Sequence, residues 1–175
     1  MPWYRTQGKI LEPITDTEFK YGMEHGKYVQ PNHQAFNVLL YYSAVRKQEA
    51  LRAQREQFQI SRSNVNFNVG KRLKHGVETP PLPLPLKLPY MTVLVEAVEQ
   101  TRPGERVFPY SLKTGYNIVH RAFKYPHLFR LSRITNFFND GWTIAQVRSW
   151  TGLTLAALDY YIGVVDIQKM SRKLK

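Results

Sequence analysis

Four kinds of side chain in this sequence could act together on a phosphate ester. His127 and Arg130 stand three apart in Tyr125-Pro-His-Leu-Phe-Arg130, so a helix begun at Pro126 puts them on one face, with Arg133 a further turn along. Arg46 precedes Glu49 by three residues, the spacing of a pair at a helix start. Lysines cluster in Gly70-Lys71-Arg72-Leu73-Lys74-His75-Gly76, and two phenols close the series at Tyr160-Tyr161. Guanidinium groups clamp phosphate oxygens, an imidazole moves protons near neutral pH, and a phenol can be both nucleophile and later leaving group. Basic groups first and a phenol last suggest a site that handles a phosphodiester. Each group also has a plainer reading. Arg46 and Glu49 could be a surface pair contributing about 0.2–0.5 kcal/mol. The lysine cluster could be a solvated loop that blunts a sheet edge. Arg133 could be a DNA-backbone contact or a surface charge, His127 a helix-cap residue, and the doubled tyrosine core or surface packing.

Composition favours the phosphate reading. The chain has 175 residues, 43% of them hydrophobic and 13% aromatic, enough for one domain with its own core. Lys and Arg number 25 against 13 Asp and Glu, a net charge of +12 that points to a polyanion such as nucleic acid. There is no cysteine, which excludes disulfides and thiolate metal sites and fits a reducing compartment. No apolar run reaches membrane-spanning length, and the amino terminus lacks a signal peptide's apolar stretch, so a cytoplasmic or nucleoid-associated protein is expected. The sequence holds no metal-ligand spacing and no glycine-rich phosphate loop; neither a metal nor a cofactor is expected.

The elements that must position these groups can be read from caps and periodicity. Thr15 and Glu18 form a capping-box pattern ahead of a helix from about Asp16 to Glu24, ending near Gly26. A buried helix covers Ala35 to Tyr42 and breaks at Ser43-Ala44-Val45, so Arg46 opens the next helix. Phe58, Ile60, Val65, Phe67 and Val69 alternate as in strands, with a turn at Ser61–Asn64 and a returning strand at Val77–Thr79. Pro80 to Pro85 is expected to end the sheet, because proline cannot donate to a ladder. Helices follow over Pro89–Gln100 and Ser111–Phe123, where His120 reads as a partly buried packing residue. A third begins at Pro126 and stops at Asn139-Asp140-Gly141. A fourth opens at Trp142-Thr143, carries Ile144, Val147 and Trp150 on its apolar face, and ends at Gly152; a short last helix covers Thr154 to Tyr161.

In this order the pieces resemble the catalytic domain of the tyrosine recombinases, the phage-integrase family, of archaeal or viral type. Tyr41-Tyr-Ser-Ala-Val-Arg46-Lys-Gln-Glu49-Ala-Leu51 is similar to the family's Tyr-Thr-Gly-x-Arg-x-x-Glu-x-Leu box, His127-Leu-Phe-Arg130 to its His-x-x-Arg motif, and Tyr160-Tyr161-Ile-Gly163 to its nucleophile segment. The resemblance implies an α+β fold, mostly α-helical with a small three-stranded antiparallel sheet. It implies catalytic roles for Arg46, Lys71, His127, Arg130 and Tyr161, with Lys74 the alternate for Lys71 and Tyr160 for Tyr161. Glu49 takes the supporting acidic position. Leu153 follows Ser149-Trp-Thr-Gly152 where the family carries His or Trp, a departure that removes one hydrogen-bond donor. Arg72, Lys74 and Arg133 are expected on the DNA.

The resemblance covers residues 14–163. It implies one catalytic domain over 1–163, a basic tail over 164–175 that protomers could exchange, and no separate amino-terminal clamp domain. The implied activity is metal-independent cleavage and rejoining of double-stranded DNA through a covalent 3′-phosphotyrosine, as in integration by a mobile or viral element. The implied assembly is a monomer off DNA and a tetramer in synapsis. Two DNA-directed rivals are a type IB topoisomerase-like enzyme, which shares the fold and the five residues, and a degenerate recombinase that only binds DNA. An RNA- or ribosome-binding domain is the third; the lack of an exposed aromatic strand motif for base stacking argues mildly against it.

Overall fold

The computed structural model describes residues 5–6, 9–10, 13–70, 79–159 and 161–162. Strands β1 (Arg5–Thr6) and β2 (Lys9–Ile10) pair antiparallel. Helix α1 (Asp16–His25) starts at the expected capping box: Glu18 N donates to Thr15 Oγ1 at 3.2 Å and Thr15 N to Glu18 Oε2 at 2.7 Å.

Helix α2 (Pro31–Ser43) is the axis of the molecule. Every residue from Ala35 to Ser43 is buried, so the helix is enclosed on all sides, and the run is apolar apart from Asn37, Ser43 and the tyrosine hydroxyls. Against it pack α3 (Lys47–Arg52), α4 (Met91–Gln100), α5 (Leu112–His120) and α6 (Pro126–Asn139). Phe19 of α1 stacks on Tyr41 with ring centroids 3.9 Å apart, which joins α1 to the same core.

The small sheet has the order β3 (Phe58–Ile60), β4 (Asn64–Phe67), β5 (Leu82–Pro85), all antiparallel. Its register places Phe58 opposite Phe67, whose rings stack at 4.5 Å, and Phe67 opposite Leu82. The strand paired with β4 lies in the proline-rich segment expected to end the sheet; of the strand expected at Val77–Thr79, Thr79 lies outside any strand and Val77 and Glu78 lie outside the described residues. The reason is positional. β5 is an edge strand, and Leu86 N donates to Ser63 O at 2.8 Å. By the two-residue period, Leu82 and Leu84 also direct their N–H groups toward β4, while Pro83 and Pro85 stand where N–H groups would face away. Leu82 and Leu84 bury their side chains; Pro83 is exposed.

Helix α7 (Ile144–Thr151) starts at Thr143, which forms a second capping box with Gln146, and ends at Gly152 in the left-handed region, φ 65°. Helical turns follow over 155–159 and 161–162. These elements and α6 enclose a second apolar cluster of Leu128, Leu131, Ile134, Phe137, Val147, Leu153, Leu158 and Tyr161. Ile14 and Trp150 pack against both clusters. Two expectations fail at the surface. Ile144 is 43% exposed; of that stripe Val147 alone is fully buried. His120 is exposed, stacks on Tyr116 and points Nδ1 at the Lys124 carbonyl 2.8 Å away. Among the described residues no helix is long and apolar enough to cross a membrane.

Candidate active site

The site begins with how α2 ends. Ala44 caps the helix at φ 56°, ψ 21°, a left-handed conformation that costs an L-residue about 1–2 kcal/mol. The turn reverses the chain so that Arg46 stands at the start of α3. Its Nη1 lies 3.1 Å from Glu49 Oε1, and its backbone N donates to Glu49 Oε2 at 2.8 Å. Glu49 is buried and Arg46 half-buried. The acidic residue thus fixes both ends of the arginine, more than an exposed pair would do.

Arg130 lies on α6 and is 5% exposed. Its Nη1 donates to the carbonyl of Ala44 and its Nη2 to the carbonyl of Thr151 at 3.3 Å. One guanidinium therefore ties together the turn before Arg46, helix α6 and the end of α7. Trp150 adds a parallel tie: its Nε1 donates to Ser43 O at 2.9 Å. Both acceptors on the α2 side belong to the last residues before Arg46, so the position of Arg46 is set from α6 and α7 as well as from its own helix.

His127 sits one turn before Arg130 and reaches the surface. Its pKa is nonetheless lowered from the ordinary value, first by the protein mass crowding the ring and then by the positive charges of Arg130, Lys47 and Arg46. Crowding and those charges together favour the neutral imidazole near pH 7, which is able to accept a proton. Lys47 also has a lowered pKa, caused by burial.

Tyr161 lies in the second cluster and is 4% exposed. Leu153 is 9% exposed in the same cluster, where an apolar side chain fits and an imidazole would be buried. Arg133 places its guanidinium 5.4 Å from the Tyr42 ring centroid and 5.1 Å from that of Phe137. Its Nε is buried with no hydrogen-bond partner among the described residues. Lys71, Arg72, Lys74 and Tyr160 lie outside the described residues; the strands that flank the lysine segment are β4 and β5. Among the described residues no group of three or more His, Asp or Glu converges as a metal site.

No family model matches the chain, and no curated protein matches it by sequence. Solved structures do match in three dimensions. XerH site-specific recombinase bound to palindromic difH substrate, in a post-cleavage complex, superposes with a TM-score of 0.65 at 13% identity, covering 93% of this chain and 52% of that one. The XerH pre-cleavage complex with difH gives 0.62 at 14% identity, covering 90% and 52%. XerA recombinase gives 0.61 at 15% identity, covering 85% and 59%. The chain has the tyrosine recombinase catalytic fold. It spans between 52% and 59% of the length of these structures.

Within the tyrosine recombinase fold, two features of the site went unread in the sequence. Lys47 is adjacent to Arg46, but its Nζ reaches the Leu112 carbonyl on α5, 65 residues away. Trp150 reads as an apolar-face residue, yet its indole N–H holds the turn before Arg46; a tryptophan near a helix end is the one signal that could have suggested a partner.

Proposed function

We propose that the chain breaks and rejoins double-stranded DNA by transesterification, with Tyr161 as nucleophile. The observation that carries this reading is that Arg130, one helical turn after His127, donates to the turn that leads into Arg46, in a chain that has the fold of site-specific recombinases. The substrate is proposed from the charge of +12 and from the DNA bound to the matched XerH structures.

Arg46 and Arg130 clamp the non-bridging oxygens of the scissile phosphate and stabilise the extra charge of the five-coordinate state. Neutral His127 accepts the phenol proton of Tyr161, whose reference pKa is about 10. The phenolate oxygen bonds to phosphorus as the bond to the 5′ oxygen breaks, leaving a 3′-phosphotyrosine. The departing 5′ oxygen takes a proton from Lys71, or from Lys74 in the same segment. The reverse reaction with another 5′ hydroxyl restores the phenol. Glu49 holds Arg46, and Arg72 with Arg133 supplies charge to flanking phosphates. Tyr161 is 4% exposed, so the reaction requires DNA binding to draw its segment out of the second cluster. Leu153 supplies no donor to the phosphate; loss of one such donor costs roughly 10²–10³ in rate, so the reaction is slow. The reading includes a protein monomeric off DNA and tetrameric when two sites are paired, serving integration of a mobile or viral element.

A nicked duplex that loses its 5′ fragment on cleavage tests this. The wild-type chain should leave an SDS-resistant protein–DNA adduct, and Tyr161→Phe should leave none. DNA binding by the wild type with no adduct on any nicked duplex would replace the reading with a DNA-binding protein without strand transfer, which the burial of Tyr161 favours as the second reading. Relaxation of supercoils without strand exchange would make it topoisomerase-like.

A further inference from the structure

We propose that Lys47 is a substrate-binding cation of this site, presenting its ammonium to a backbone phosphate next to the one clamped by Arg46 and Arg130. The proposal rests on the DNA reading above and adds a residue to it.

Lys47 directly follows Arg46, yet its side chain takes a different course. Arg46 turns back to Glu49, whereas Lys47 crosses to α5, where its Nζ lies 3.2 Å from the Leu112 carbonyl and 5.5 Å from the Tyr116 ring centroid. The crossing is short because α3 and α5 touch closely at Gly115: a Cβ there would come within 3.1 Å of Leu51 Cδ1. Neither partner neutralises the ammonium. A carbonyl and a ring face orient a cation, and an exposed cation–π contact contributes only about 0.5–1 kcal/mol. Among the described residues no carboxylate lies within ion-pair distance of Lys47, while Glu49 is paired with Arg46.

Lys47 as a whole is half-buried, and burial is the cause of its lowered pKa. Its charge is felt at His127 together with those of Arg46 and Arg130. Lys47 directly follows Arg46 at the start of α3, and of these two cations it is the one held by groups it can release. A phosphate at this point replaces a weak carbonyl bond with a charge-assisted one. The contact is to the backbone and so carries no base preference.

The test is binding of the full chain to a short duplex across a series of salt concentrations. The slope of log affinity against log salt should fall in magnitude by about 0.9 in Lys47→Met, the loss of one phosphate contact. Lys47→Gln, which can still donate to the Leu112 carbonyl, should show the same fall, and Lys47→Arg should keep the wild-type slope. An unchanged slope in the Gln variant, with wild-type binding intact, would make Lys47 a structural tie and overturn the proposal alone. Failure of the wild-type chain to bind duplex DNA would overturn the DNA reading and this proposal together.

Discussion

Arg130 joins Thr151 across 21 residues of sequence, donating from Nη2 to its carbonyl at 3.3 Å, while its Nη1 holds the Ala44 carbonyl. The residue that would clamp a phosphate is thus also the one that fastens the site. Arg130→Met removes a buried guanidinium and leaves two main-chain acceptors without a donor. A buried group left unsatisfied costs about 1–3 kcal/mol, so we expect a loss of about 2–5 kcal/mol in urea unfolding, and Arg130→Lys to recover only part of it because a point charge cannot bridge two carbonyls in a fork. A stability equal to wild type in both variants would show that the two bonds contribute nothing.

Ala44 is the reverse case, a residue that works against its own conformation. With φ at 56° its Cβ is strained, and glycine would relieve the strain while adding entropy to the unfolded chain. Relief of about 1–2 kcal/mol is offset by about 0.5–1 kcal/mol of unfolded-chain entropy and by loss of a fully buried methyl, about 0.8 kcal/mol. Ala44→Gly is therefore expected to shift stability by less than about 1 kcal/mol, seen as a nearly unchanged midpoint in denaturant.

His127 makes stability depend on pH. Its folded-state pKa lies below the ordinary value, so in the window between the two the unfolded chain binds more protons. Stability therefore rises as pH rises through that window and is lost as pH falls below about 6.5. His33, also lowered by burial, acts in the same direction. Subtracting the profile of His127→Gln from that of wild type isolates the contribution of His127; the difference should flatten above the window.

Much of this fold can be read from residues that act locally. Thr15 with Glu18 and Thr143 with Gln146 mark helix starts because a cap and its reciprocal partner lie three residues apart, and Gly152 marks an end because its left-handed φ favours glycine. What could not be read depends on distant partners. Proline in β5 looked like a terminator, since only the pairing with β4 shows that its missing donors face outward. Ala44 carries no sign of a positive φ. The buried state of Tyr161 arises from α6 and α7 closing over it, and the reach of Lys47 from a glycine contact on α5. The types and spacings of Arg46, His127 and Arg130 are plain in the sequence; the bond from Arg130 to the Ala44 carbonyl is not, because α2 and α6 meet only in three dimensions.

The central claim, that a phenol late in the chain reaches a phosphate held by Arg46 and Arg130, is tested most directly by mapping the attachment point. The wild-type chain is trapped on the nicked duplex, digested with protease, and the nucleotide-bearing peptide is sequenced by mass spectrometry. The account predicts a nucleotide on Tyr161 and no adduct from Tyr161→Phe or Arg46→Ala. A nucleotide on Tyr160, or an adduct that survives the Tyr161→Phe change, would contradict it.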